Sequence, residues 1–178
     1  MAKMDMGKLF HAQVSRKFRF LFTVYGLGGS TTEDPITAYV KSVTSPSLTL
    51  EPVEVIHQTE KVYYPGRITW STIDVTITDV DGYEDKDSGE SPLEFIWEKW
   101  IKKYYTNPEF GYVSWKMSEI KKKAELASLS PAGVVTGKWV MEGCWPTVLS
   151  PGDWDYASSE PQEMTLTIQF DRAYYVRS

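Results

Sequence analysis

Met164-Thr165-Leu166-Thr167-Ile168-Gln169-Phe170-Asp171 alternates apolar with polar residues without a break. Successive side chains of an extended chain point to opposite faces, so this stretch reads as a half-buried strand with Met164, Leu166, Ile168 and Phe170 turned inward. The same period runs through Phe18, Phe20, Phe22 and Val24, with Leu21 and Tyr25 on the opposite face. Ile68 to Asp79 is strand-like too, but Ile68 and Trp70 lie in one phase and Ile73, Val75 and Ile77 in the other. That slip predicts a bulge at Ser71-Thr72. Ala38 to Val43, the tract after Lys122 and the β-prone run Gly133 to Gly143 add further strands.

One segment follows a different period. Leu93, Ile96, Trp97, Trp100 and Tyr104 recur at three- and four-residue spacing, which gives a helix with one broad apolar face. Ser91 can cap it, Pro92 suits its first position, Glu94 complements its dipole, and Asn107-Pro108 is expected to end it. Strands on both sides of a single helix predict a mainly β domain, an antiparallel sandwich or barrel with one packed α-helix.

Residues 48–64 read as a long projecting hairpin around the polar tip His57-Gln58-Thr59-Glu60. Pro52 cannot donate a ladder hydrogen bond, and Pro65-Gly66 is expected to close the arm, so its first strand should lie at an edge or bend near its base, available to a neighbour. Val53, Val55, His57, Val62, Tyr63 and Tyr64 are the candidate interface residues of this arm.

The 178 residues, 42% of them hydrophobic, suffice for the core of one domain, 1–178, with residues 1–16 as an N-terminal arm. Nineteen Lys and Arg stand against 24 Asp and Glu, a net charge of -5, so the domain as a whole has no electrostatic reason to grip a phosphate backbone. Cys144, the single cysteine, cannot form an internal disulfide and reads as a small apolar residue at a strand end. No apolar run approaches the roughly 20 residues of a membrane span, and Met1 to Lys8 lacks the apolar centre of a signal peptide. A soluble chain with no membrane insertion is expected.

Catalytic and metal chemistry find little support. His11 and His57 are isolated, and no nucleophile motif accompanies either. The acids of the Asp79 to Glu90 loop lack the spacing of a calcium loop and read as a solvated turn. Gly26 to Gly29 follows a strand, but no Gly-Lys-Ser/Thr comes after it, so a permissive loop is the reading and not a phosphate cradle. No metal, cofactor or catalytic residue is assigned. A glycan-binding sandwich using the chain's seven tryptophans is the competing reading from a different functional class.

Three elements near the C-terminus recur in a specific order. Gly143-Cys144-Trp145-Pro146 ends a strand in a turn, Asp153-Trp154-Asp155 lies on a loop, and the alternating strand then closes at Asp171 and Tyr174-Tyr175. In that order, with the hairpin and the helix upstream, the chain resembles the tube proteins of phage contractile tails. The resemblance implies a non-enzymatic structural subunit that forms hexameric rings stacked into a hollow tube. It implies sheath, baseplate and tail-terminator partners, a place in the virion tail after assembly in the bacterial host cytoplasm, and DNA passing through the bore without specific binding. An acidic bore would let DNA slide. A baseplate tube-initiator or the inner tube of a contractile injection system is the near alternative.

Overall fold

A computed structural model describes residues 15–28, 35–80, 91–107, 112–113 and 116–177. The strands are β1 (Phe20–Tyr25), β2 (Val40–Val43), β3 (Leu48–His57), β4 (Glu60–Trp70), β5 (Ile73–Thr78), β6 (Tyr105–Asn107), β7 (Tyr112–Val113), β8 (Lys122–Leu129), β9 (Val135–Ser150), β10 (Glu163–Gln169) and β11 (Arg172–Arg177). The expected strand 164–170 is β10, and its four inward residues are fully buried.

All pairing within the main sheet is antiparallel, and one strand joins its two halves. The first part of β9 pairs with β8 on one side and β11 on the other, and β8 pairs in turn with β1. From Trp145 onward β9 pairs with β10, which continues through β5 to β2. The two halves fold over a common core in which Phe22, Val24, Ala124 and Met141 meet Ile73, Val75, Ile77, Leu166 and Ile168. The result is a mainly β sandwich.

The sheet change explains the Gly143-Cys144-Trp145-Pro146 motif, and it corrects the expectation that a strand ends there. Gly143 has φ of 70°, a left-handed conformation that glycine adopts without strain. The β9 backbone turns a corner at this point and carries on as strand, so Cys144 lies inside the strand, fully buried, and Pro146 pairs opposite Ile168.

The phase slip at Ser71-Thr72 has a larger cause than a bulge. Among the described residues β4 pairs only with β3 and ends at Trp70, whereas β5 begins at Ile73 in a different sheet. The two residues are the step between the hairpin and the sandwich, which is why the apolar phase changes across them.

Ser91 caps the helix as expected, its Oγ accepting a hydrogen bond from the Glu94 N–H at 3.2 Å. The helix runs as α2 (Pro92–Ile96), after a one-turn α1 (Pro35–Ala38), and then widens into a π-helical stretch, Trp97–Ile101, before a last turn at Lys102–Tyr104. It therefore stops before Asn107, whose place is in β6. A further helical turn occupies Met117–Ile120. The π stretch is marked by the Lys102 N–H donating to the Trp97 carbonyl, and it leaves Trp97 at the surface while Trp100 is fully buried. The Trp100 indole N–H donates to the Ile120 carbonyl at 2.8 Å, so the one polar atom of this side chain is satisfied inside the core. No helix among the described residues is long and apolar enough to cross a membrane.

Candidate assembly surface

β3 and β4 form a two-stranded hairpin joined at Gln58-Thr59, with Gln58 in the left-handed region at φ of 55°. It extends through Pro65-Gly66 to Trp70, so these residues do not close the arm as expected. Pro52 instead sits opposite Pro65, and Gly66 packs where a Cβ would lie 2.5 Å from the Glu51 carbonyl oxygen. Every residue of β3 is exposed.

Pairing across the arm divides it into two unlike faces. Val53 lies opposite Tyr64, Val55 opposite Val62 and His57 opposite Glu60, so most of the candidate residues share one face that is apolar up to its tip. Tyr63 is on the other face opposite Glu54, where Glu54 also bridges Lys61 at 2.9 Å. An isolated two-stranded hairpin is marginal in water, and here no described residue outside the hairpin covers its apolar face beyond the base. At the base, Trp70 is anchored by edge-on and tilted contacts to Trp139 and Phe170, with ring centroids 6.5 Å and 5.7 Å apart. The arm is firmly rooted and bare beyond its root. Leu48, Leu50, Ile56 and Ile68 add to its exposed apolar surface and were not among the residues expected there.

Gly143 and Asp171 of the C-terminal motif meet at one corner. Asp171 sits against Gly143 so closely that a Cβ there would lie 2.1 Å from Asp171 Oδ2. The Asp171 N–H donates to the Glu142 carbonyl, and its carboxylate accepts from Lys121 Nζ at 2.7 Å and 2.8 Å. Gly143 and Asp171 are thus partners that hold the sheet change. Trp145 is half-buried and pairs opposite Gln169. Asp153, Trp154 and Asp155 stand apart from this corner, on an exposed loop where Trp154 is 83% accessible and Asp155 Oδ1 accepts from the Ala157 N–H.

The face of β1, β8, β9 and β11 turned away from the core carries a charge network that the sequence reading missed. Glu125, nearly buried, receives Lys123 at 2.8 Å, Lys138 at 2.8 Å and the Tyr25 hydroxyl at 3.1 Å. Arg172 pairs with Glu142 on the neighbouring strands. Burial pushes the Glu125 carboxyl up, but the hydrogen bonds from Lys123, Lys138 and Tyr25 outweigh it and hold Glu125 below the usual glutamate range. A carboxyl depressed by folding contributes stability above its unfolded pKa, near 4.3 for a free glutamate, and loses that contribution as pH falls through its lower folded value. Thermal unfolding followed from pH 6 down to pH 3 should therefore show a shallower loss of Tm in Glu125→Gln than in the native chain. Parallel curves would mean that the network adds nothing.

Among the described residues no group of three or more His, Cys, Asp or Glu side chains could hold a metal ion. His11 and residues 81–90 of the acidic loop lie outside the described residues. Burial, partly offset by a backbone hydrogen bond at Ala124 and reinforced by Asp171, raises the Cys144 thiol to about 12, which leaves it without nucleophilic character at neutral pH.

No family model matches the sequence, and the curated proteins give no match. Solved structures do. A chain of the sheath-tube complex of an extracellular contractile injection system, PVC, in its extended state superposes with a TM-score of 0.64 at 14% identity, covering 99% of this chain and 100% of that one. The chain has the fold of a tail-tube protein. A chain of the tube-terminating cap of the anti-feeding prophage gives a TM-score of 0.66 at 18% identity, over 94% of this chain and 93% of that one. The SPP1 tail tube gives 0.55 at 11% identity, over 93% and 80%. The tail-tube fold inferred from the ordered C-terminal motif is thus matched along nearly the whole chain, at identities low enough that the fold alone is shared.

Proposed function

We propose that this chain is a non-catalytic structural subunit of a tail tube, six copies forming a ring and rings stacking into a hollow conduit for DNA or another cargo. The observation that carries this reading is the half-sheet β1-β8-β9-β11, whose two edges, β1 and β11, have no strand partner on their outer sides among the described residues. Three antiparallel steps make β1 antiparallel to β11. A second copy rotated about a ring axis therefore brings its β1 beside β11 with the alternation unbroken, and the edge liability becomes the subunit bond. Six copies would supply about 24 strands at about 4.8 Å each, a wall roughly 37 Å across before strand tilt widens it. The bulk of the domain lies on the core side of this half-sheet, so the Glu125 face lines the bore.

The bare hairpin supplies the second contact. An arm of ten residues reaches roughly 33 Å, and its apolar face is covered if it lies against copies in the next ring. Sheath, baseplate and terminator proteins are the partners this reading implies, in a virion tail assembled in the host cytoplasm. The same ring and arm would serve the inner tube of a contractile injection system, a placement favoured by the higher TM-scores of the injection-system chains.

Shortening the tip between Ile56 and Lys61 tests the arm. Circular dichroism and Tm should change little, because the tip is exposed and outside the core, while pelletable assemblies should fall at least about tenfold. Equal assembly by the shortened and intact chains would remove the hairpin from the stacking contact.

A further inference from the structure

The chain's net charge of -5 makes an acidic bore the simple expectation, yet the face assigned to the bore is not acidic. On the described residues of β1, β8, β9 and β11 that point away from the core, three cations, Lys123, Lys138 and Arg172, stand against two carboxylates, Glu125 and Glu142. Each copy thus adds a small positive excess, repeated around and along a tube.

A polyanion feels such an excess through the counterions it can release, so the accessible lysines set the grip. Glu125 controls both of the lysines on this face. Its side chain is only 9% exposed and lies at the level of the sheet, with Lys123 on one oxygen and Lys138 on the other. The two ammonium groups are drawn down onto the strand surface and share one compensating charge, where free lysines would extend into the channel on four-carbon stems. Tyr25 donates to the same carboxylate and completes its shell.

We propose that Glu125 sets the grip of the bore on a polyanionic cargo, duplex DNA, by holding Lys123 and Lys138 against the wall so that the cargo is guided weakly and still slides. This deepens the tube reading and rests on it. The residual excess favours a polyanion over a protein cargo, which has no uniform charge for the wall to engage.

The test uses assembled tubes, first seen in micrographs, of the native chain, Glu125→Gln, and Glu125→Gln with Lys138→Met. A labelled linear duplex of about 30 base pairs is co-sedimented with each across a salt series starting near 50 mM NaCl. Glu125→Gln tubes should retain at least about three times more duplex than native tubes at low salt and release it at higher salt, and the double variant should return to the native curve. Equal retention by the native and Glu125→Gln tubes overturns the proposal, as does retention of a protein of near-zero net charge that rises as much as that of DNA. If Glu125→Gln does not assemble, Lys123→Met, which keeps the carboxylate and removes one of its cations, must lower retention below the native level, and no change overturns the proposal. A native chain that forms no tubes removes the reading beneath the proposal before any DNA is added.

Discussion

Replacing Trp100 by alanine is expected to destabilise the domain by about 3–5 kcal/mol, a large share of the roughly 5–15 kcal/mol that holds a domain of this size together. Trp100 is fully buried within the cluster that joins Ile96, Ile36 and the strand residues, so its removal leaves a cavity in the core. Its loss also strips the Ile120 carbonyl of the indole donor. Trp100→Phe separates the two effects, since most of the volume stays and the hydrogen bond goes, at an expected cost of about 1–3 kcal/mol. Urea titrations of the three chains measure both. A loss below about 1 kcal/mol for the alanine variant would mean that the helix is not fastened to the sheets through this residue.

Gly143→Val should cost about 2–4 kcal/mol, through two separable terms. A β-branched residue is strongly disfavoured at φ of 70°, and the new Cβ would press into the Asp171 carboxylate. The carboxylate must then leave the corner and release Lys121. Removing the obstacle with Asp171→Ala should relieve part of the cost in the double variant and leave the backbone term, so the cycle is expected to show coupling of at least about 1 kcal/mol. Additive losses would place Gly143 and Asp171 in independent roles.

What the sequence disclosed follows from where each signal is local. Met164 to Phe170 was legible because a strand buried on one face writes its environment into its own alternation. The helix cap was legible because Ser91, Pro92 and Glu94 act within one turn. The corner at Gly143 was misread as a strand end, since glycine followed by proline marks a change of direction without saying whether pairing continues on another partner. Ser71-Thr72 posed the same difficulty: a change of apolar phase is common to a bulge and to a strand that leaves one sheet for another. The π stretch at Trp97–Ile101 was illegible because a single extra residue in a turn barely alters a three- and four-residue apolar spacing.

The hairpin was visible as a length of β-prone sequence, and its candidate residues divide between the faces as pairing dictates, with Tyr63 apart from Val53, Val55, Val62 and Tyr64. Its full reach to Trp70 was hidden because Pro65-Gly66 looks like an ending, although Pro52 opposite Pro65 lets two residues without amide donors share one position in the ladder. The Glu125 network was beyond sequence reading altogether. Tyr25, Lys123, Glu125 and Lys138 come from three strands, and only the register of β1, β8 and β9 brings them together.

Electron micrographs of the concentrated, purified chain test the central claim most directly. Subunits that join through β1 and β11 and stack through the hairpin should appear as closed rings and as hollow tubes of uniform width, with six-fold symmetry in end views. Particles that remain compact monomers at high concentration, even when a tail-initiation complex is supplied as a template, would contradict the account.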